Sequence, residues 1–318
     1  MPVCICERMM ISVMDEGLAL AFDMGGSKLV AGLVDRDGKV LWKKRREWSP
    51  RSGQEVMEAL IAFGRKALSE NPGLDPAVIG ATIPGVANPE TGAWLDASFS
   101  GIRDLPVAAE LSQAFSLPAF ADNDGQACAL AERFFGAGRG VDDFLYVTVS
   151  NGIGGGVFCG GRLLRGTSDG AGELGHCTVV EDGRPCKCGK KGCLEVYAAG
   201  PGISLTYYEL CGAEKNGEEL ARMAREGDEA ALRVWELEGM YLGRAVAFAA
   251  NVLNPRRVIL GGGLSLAFPL YEAALWTAVK KNLFMRPNAG LEIMPTPLGY
   301  DGALLGAAAV AFNRDAGI

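Results

Sequence analysis

A surplus of positive charge is missing from this chain: 31 Lys and Arg stand against 38 Asp and Glu, a formal net charge of −7. Nucleic-acid binding needs clustered Lys and Arg as its electrostatic footprint, so that class is not indicated. Long apolar runs are missing as well; none approaches the ~20 residues of a membrane span. The first seventeen residues carry Cys4, Cys6, Glu7 and Arg8 but no unbroken apolar core, which makes a poor signal peptide. They read as a short disordered extension. Nor is there an even cysteine set. Nine cysteines form an odd count that argues against a secreted disulfide framework. Six of them (Cys4, Cys6, Cys128, Cys159, Cys177, Cys211) are scattered and read as small hydrophobes. A reducing cytoplasm is the expected compartment. A phosphate-binding Walker A pattern is also absent, since Gly189-Lys190-Lys191 lacks the Ser or Thr that should follow; a P-loop NTPase is excluded.

What is present is an ordinary globular composition, 49% hydrophobic and 22% charged, over 318 residues, enough for two domains with full-sized cores. Leu18 to Phe22, Leu29 to Val34 and Lys39 to Glu47 read as an antiparallel meander, with glycine turns between the runs. Ser52 and Glu55 form a capping box for a helix reaching about Ser69. Val78 to Ile83 is a strand, Leu105 to Phe115 a helix, Ala119 to Asp122 a strand and Gly125 to Phe135 a helix. From Asp143 the pattern begins again. Phe144 to Val149 is a strand, Asn151 to Gly156 a glycine turn, and Val157 to Leu164 a second strand. Helices follow at Glu218 to Arg225 and Glu229 to Leu253. Then come a strand from Arg257 to Leu260, Gly261-Gly262-Gly263, a further helix, a strand from Leu291 to Met294 and a small-residue helix from Ala303 to Phe312. Two halves that open alike imply an α/β architecture of two related lobes. Ligands in such folds sit at the carboxyl ends of strands, where Asp23, Asn123-Asp124, the Asn151 turn and Gly261 all fall.

Four stretches carry chemistry. Asp23-Met24-Gly25-Gly26-Ser27-Lys28 is either a plain hairpin turn or a phosphate cradle whose acid holds a water on Mg²⁺. Gly152-Ile153-Gly154-Gly155-Gly156 leads into another strand rather than a helix, which counts against a dinucleotide fingerprint and leaves a hairpin turn able to cradle phosphate. Asn123-Asp124 suits a helix N-cap and, at a strand's carboxyl end, also a general base. His176, Cys186, Cys188 and Cys193 have the residue types of a closed tetrahedral zinc site. Arg184, Lys187, Lys190 and Lys191 make that segment too polar for a core, and Gly183, Gly189 and Gly192 supply tight turns. With all four positions taken by protein, such a zinc is structural. A deaminase is excluded, since it needs His-x-Glu ahead of Pro-Cys-x-x-Cys.

These motifs resemble the ROK family of sugar kinases and related repressors, within the sugar kinase/actin/Hsp70 superfamily. The resemblance runs from about Leu18 to the C-terminus. It rests on Asp23 to Lys28 and on the long signature from Gly152 through Ala171-Gly172-Glu173 and His176 to Cys193 and Glu195. Asp122-Asn123-Asp124-Gly125 with Ala129 to Arg133 also resembles the N-acetylmannosamine kinase module of the family. The resemblance implies two ribonuclease H-like (actin/hexokinase-type) lobes around a central cleft, and an enzyme that transfers the γ-phosphoryl group of ATP, with Mg²⁺, to a hexose hydroxyl. Glucose is the first expectation, and N-acetylmannosamine or another hexose the alternative. By the same resemblance Asp124 deprotonates the sugar hydroxyl, and Asn123, Glu173, His176 and Glu195 hydrogen-bond the ring hydroxyls. Asp23, Gly25, Gly26, Ser27, Lys28, Asn151 and Gly152 cradle phosphates, and Gly262 and Gly263 border the adenosine. His176, Cys186, Cys188 and Cys193 hold structural Zn²⁺.

Two departures from the family pattern stand out. Ser150-Asn151-Gly152 replaces a usual Gly-Thr-Gly, so an amide stands where a hydroxyl is expected, and Ser27 replaces a commoner Thr. The loop from Pro84 to Arg103 is expected to help form the sugar pocket. The division expected is residues 1–122 as a small lobe, on which a C-terminal helix at 302–318 packs back, and 123–301 as a large lobe with the zinc knuckle. A ROK repressor needs an added N-terminal winged helix, for which about seventeen residues before the first strand are too few. A non-catalytic sugar sensor would lack the base. The partners expected are a sugar and ATP, with no nucleic acid and no membrane, in a homodimer or homotetramer.

Overall fold

The computed structural model describes residues 17–96 and 101–315. The expected N-terminal extension, apart from Gly17, and residues 97–100 of the expected sugar loop lie outside the described residues. Along the chain come β1 (Leu18–Met24), β2 (Lys28–Val34), β3 (Val40–Glu47), α1 (Gly53–Glu70), β4 (Pro76–Ile83), β5 (Val86–Asn88), β6 (Ala93–Asp96), β7 (Arg103–Leu105), α2 (Val107–Phe115), β8 (Ala119–Asn123) and α3 (Asp124–Phe135). There follow β9 (Phe144–Val149), β10 (Ile153–Cys159), β11 (Arg162–Leu164), α4 (Glu195–Ala198), α5 (Gly200–Cys211), α6 (Gly217–Arg225), α7 (Glu229–Leu253), β12 (Arg257–Gly261), α8 (Phe268–Asn282), β13 (Glu292–Pro295) and α9 (Gly302–Asp315). They fall into two compact units. Residues up to Phe135, joined by those from Asp301 onward, make one, and Gly136–Tyr300 make the other.

The first unit is built on a five-stranded sheet in the order β3-β2-β1-β4-β8. β1, β2 and β3 pair antiparallel, while β4 and β8 continue the sheet parallel to β1. β1 is buried on both faces, which is why it reads as an unbroken apolar run. Strand alternation sorts its side chains. Leu20 and Phe22 pack with Val56, Leu60, Phe63 and Ala67 of α1, the helical-period stripe of that element. On the opposite face Ala21, Gly32 and Gly80 stand side by side on three strands. α9 lies over this flat strip so closely that a Cβ on Gly80 would sit 1.8 Å from the Ala307 carbonyl oxygen. α9 also meets α3, where a Cβ on Gly306 would come within 2.9 Å of the Ala127 backbone. Ser52 caps α1 through the Glu55 N–H, but the Glu55 carboxylate accepts from Arg51 rather than from Ser52, one residue short of a reciprocal box.

The second unit repeats the sheet: β11-β10-β9-β12-β13, with β9, β10 and β11 antiparallel and β12 and β13 parallel to β9. The repeated opening read from the sequence is therefore a repeated sheet order, the ribonuclease H-like topology in each unit. α7 spans the expected Glu229–Leu253 and is capped by Asp228, whose carboxylate accepts from the Ala231 N–H. α7 packs on α8 through Gly239 and Gly243, where a Cβ would come within 2.4 Å and 2.5 Å of the Tyr271 and Leu275 carbonyl oxygens.

Several expectations change. The turn after β9 is confined to Ser150–Gly152, and Gly154, Gly155 and Gly156 lie inside β10. Gly155 leaves no room for a side chain, because a Cβ there would lie 2.6 Å from the Tyr146 carbonyl oxygen of β9 and 3.0 Å from that of Gly172. The strand expected from Val157 to Leu164 is a hairpin, β10 to β11, turning on Gly160 and Gly161 with positive φ of 58° and 76°. α5, over Gly200–Cys211, adds a helix that the sequence reading does not contain. Pro201 sits in the first turn of α5, where a missing N–H costs no hydrogen bond. A small sheet, β5-β6-β7, also appears within the stretch expected to be a sugar loop, and β7 takes Leu105 from the expected helix.

Glu238 of α7 is 1% exposed, and neither of its carboxylate oxygens meets a donor among the described residues. Burial alone raises its pKa well above the ordinary 4.5. The folded state thus holds this proton more tightly than the unfolded chain. The pH-dependent part of the cost of Glu238 is absent below pH 4.5 and grows as the pH rises above it, while the buried, unpartnered carboxyl costs at any pH. Glu238→Met is expected to stabilise the protein by about 1–3 kcal/mol near neutral pH. Thermal melts at pH 5 and pH 8 check this, with the larger gain in Tm at pH 8. An equal or smaller gain at pH 8 would show that the carboxyl is not held protonated.

Candidate functional site

In the first unit the candidate residues sit at the carboxyl ends of parallel strands. The sheet register places Asp23 beside Thr82 and Thr82 beside Asp122. The Thr82 hydroxyl donates to the Asp23 carboxylate at 3.0 Å and accepts from the Met24 N–H at 3.2 Å. Burial pushes the pKa of Asp23 up to about 6, against the lowering effects of the Thr82 bond and the Lys28 charge. The turn that follows is closed by the Gly25 N–H donating to the Lys28 carbonyl at 2.8 Å. Trp48 braces it, its ring N–H on the Gly25 carbonyl and its backbone N–H on that of Ser27. Gly26, Ser27 and Lys28 remain exposed, so the turn presents a hydroxyl and an ammonium to solvent.

Asn123 and Asp124 share the junction of β8 and α3. Asn123 does the capping: its Oδ1 accepts from the N–H groups of Gly125 and Gln126, and its Nδ2 donates to the Gly85 carbonyl. Asp124 is thereby spared that task and stands as the first helical residue. Its Oδ1 accepts from the Gly125 N–H at 2.8 Å and from Asn123 Nδ2 at 3.2 Å. A helix N-terminus favours the ionised carboxylate.

The second unit gathers the remaining candidates. Glu195, at the start of α4, accepts from the Ile153 N–H at 3.0 Å, which ties its carboxylate to the start of β10. Gly152 is demanded by this approach, because a Cβ there would lie 2.9 Å from Glu195 Oε2. Asn151 is exposed beside it. Gly261 pairs with Thr148 across β12 and β9, so Gly262 abuts the same turn. Gly262 has φ of +78°, and a Cβ would lie 2.4 Å from the Val149 carbonyl oxygen, whereas Gly263 has open space around it. Glu173 is exposed, and its Oε2 lies 4.0 Å from His176 Nε2.

The other ring nitrogen, His176 Nδ1, lies 3.7 Å from Cys186 Sγ, and Cys188 Sγ lies 3.6 Å from Cys193 Sγ. All four ligand atoms fall within 4.8 Å of one another. Zn–S bonds of about 2.3 Å at tetrahedral angles imply S···S of about 3.8 Å, so the spacing fits a zinc ion and is far too long for a disulfide. Burial, then the neighbouring thiols Cys188 and Cys186, push the Cys193 thiol up to about 12. Three sulfurs so close do not ionise together without a cation among them. Gly189 and Gly192 turn the knuckle with φ of +87° and +76°. Gly183 has a different reason: a Cβ there would strike the Tyr197 hydroxyl at 2.2 Å.

Thr82, Trp48 and Arg184 were missed in the sequence because each acts on residues distant along the chain. Arg184 in particular read only as surface charge, yet its side chain is 13% exposed and makes four hydrogen bonds.

Comparison with known proteins agrees with this arrangement. The ROK family profile matches residues 19–314. A glucokinase of Thermotoga maritima is 33% identical over 313 residues, covering 94% of this chain and 98% of its own. An N-acetylmannosamine kinase of Escherichia coli is 35% identical over 303 residues, covering 92% and 97%. Among solved structures, a ROK hexokinase of Thermus thermophilus superposes with a TM-score of 0.81 at 34% identity, covering 95% and 100%. A ROK family transcriptional regulator superposes with a TM-score of 0.86 at 27% identity, covering 94% of this chain and 78% of its own.

Proposed function

The chain belongs to the ROK family, and we propose that it works as the family's kinases do, as an ATP-dependent kinase of a hexose, with glucose as the first substrate to test. The observation that carries this reading is Asp124, a carboxylate fixed by the Gly125 N–H and Asn123 Nδ2 at the carboxyl end of β8. The kinases named above match at 33% and 35% identity across nearly their whole lengths, and the regulator matches at 27%. In the reaction a sugar hydroxyl oxygen bonds to the γ-phosphorus of ATP as the bond to the β-phosphate oxygen breaks. ADP leaves, and the hydroxyl proton passes to the Asp124 carboxylate. Mg²⁺, when bound, neutralises charge on the phosphates. Asp23 suits a water of its coordination shell, and the exposed Ser27 and Lys28 suit phosphate oxygens.

On the sugar side, Glu195 has one oxygen on the Ile153 N–H, and its other meets no protein donor among the described residues. His176 turns Nδ1 to the cysteines, so in a zinc-bound ring the proton sits on Nε2, facing Glu173 and free to donate to a hydroxyl. Zinc held by His176, Cys186, Cys188 and Cys193 would then be structural and would share its histidine with the sugar. Among the described residues no helix is long and apolar enough to cross a membrane. We place the enzyme in the cytoplasm, where cysteines such as Cys159, Cys177 and Cys211 would stay reduced.

A panel of hexoses and N-acetylhexosamines in a coupled ADP-release assay tests the reading. Glucose is expected to give the highest kcat/KM; turnover with none of the sugars would refute the kinase. The nucleotide side is tested by Asn151→Thr, which restores a hydroxyl to the turn beside Gly262. One neutral hydrogen bond corresponds to about a 2–10-fold change in KM for ATP, with KM for sugar within about twofold. Equal changes in both constants would remove Asn151 from the phosphates.

A further inference from the structure

The cysteine knuckle and the helix that bears Glu195 are adjacent in sequence, but two residues of backbone do not make a rigid joint. The knuckle holds itself locally: Cys186 N–H donates to the Lys190 carbonyl, Gly189 N–H to that of Cys186, and Gly192 N–H to that of Arg184. α4 is a single turn, four residues long, too short to be stable by its own hydrogen bonds. Something outside α4 must set the direction in which Glu195 points.

Arg184 spans the two. Its backbone belongs to the knuckle, accepting from Gly192 through its carbonyl, while its N–H donates to the Tyr197 hydroxyl on α4 at 2.8 Å. Its guanidinium lies over the Tyr197 ring, 4.6 Å from the centroid. One nitrogen, Nη1, donates to the Val196 and Gly202 carbonyls, both at 3.0 Å. The other, Nη2, donates to Thr206 Oγ1 at 3.0 Å and to the Glu209 carboxylate at 2.6 Å. Val196 directly follows Glu195, and Gly202 and Thr206 belong to α5. One planar cation therefore ties the knuckle, α4 and α5 together. A fork of fixed donors can do this and a lysine ammonium cannot.

We propose that Arg184 is a positioning residue for the sugar, acting through Glu195: its guanidinium fixes α4 against the knuckle and so aims the Glu195 carboxylate. The inference rests on the reading of Glu195 as a sugar ligand, and the experiment separates the two. Arg184→Lys, Glu195→Gln and the double variant are compared in sugar titrations by calorimetry without ATP, in KM for sugar and for ATP, and in metal content. If Glu195→Gln leaves sugar affinity unchanged, the reading of Glu195 fails, and the inference with it. If Glu195→Gln weakens sugar binding, Arg184→Lys is expected to weaken it about 10–100-fold, the scale of a misaimed ligand. Metal content and KM for ATP should then stay within about twofold, and the double variant should be no worse than Glu195→Gln alone. Losses that multiply in the double variant, or sugar affinity unchanged in Arg184→Lys, would overturn the inference. Glu209→Gln, which removes only an exposed partner, is expected to change sugar affinity by less than about twofold. A loss as large as that of Arg184→Lys would overturn it too, by moving the effect to the surface ion pair.

Discussion

Asp124→Asn is expected to slow phosphoryl transfer by ~10²–10⁴-fold while sugar binding persists. The reason lies in two hydrogen bonds that this side chain accepts. Both end on Oδ1, from the Gly125 N–H and from Asn123 Nδ2, and an asparagine oxygen accepts both equally well. The variant keeps these two bonds and loses the carboxylate that takes the proton. Asn123 continues to cap α3, since its bonds to Gly125 and Gln126 do not involve Asp124. Single-turnover rates with saturating sugar and ATP, beside a sugar titration, check the split. A variant that keeps most of its kcat would move the base elsewhere, with Glu173 the next carboxylate to test.

Losing the metal is expected to have the second large effect. Apart from two isolated backbone bridges, Pro185 with Lys191 and Thr178 with Cys193, the knuckle is a series of turns around four ligand atoms. It has little apolar surface of its own to bury. Structural zinc is worth ~10–16 kcal/mol in small zinc-finger peptides, and here the same ion would hold His176 and the strand-like edge that runs into Glu195. Cys188→Ala is expected to abolish stoichiometric zinc and to raise KM for sugar at least ~10-fold, with KM for ATP less affected. Metal analysis of the wild-type chain comes first and sugar titration of the variant second. A chain without zinc that phosphorylates its sugar at full rate would refute the role given to the knuckle.

Local signals carried much of this protein. Apolar runs located β1, β4, β9 and β12, and α7 was legible as the helix from Glu229 to Leu253. The four metal-type ligands were legible because they lie within eighteen residues of one another and no other histidine competes. The glycines misled where their reason was tertiary. Gly154 to Gly156 look like a turn but are strand residues, and a Cβ on Gly155 would strike the carbonyl oxygens of Tyr146 and Gly172. Gly200-Pro201-Gly202 opens α5, and a Cβ on Gly202 would come within 2.8 Å of the Val196 backbone.

Sequence alone determined the class of elements, their repeated order and the residue types available for chemistry, because these follow from periodicity, capping and turn preferences acting over a few residues. Only the tertiary structure decided which of those residues meet. Thr82 reaches Asp23 through a parallel register 59 positions apart, Glu195 reaches Ile153 across 42, and Arg184 reaches α5 across 18 to 25. No local preference encodes such pairings. They are set when the sheet closes and the helices dock, where burial of apolar surface selects one arrangement and the polar groups must find partners within it.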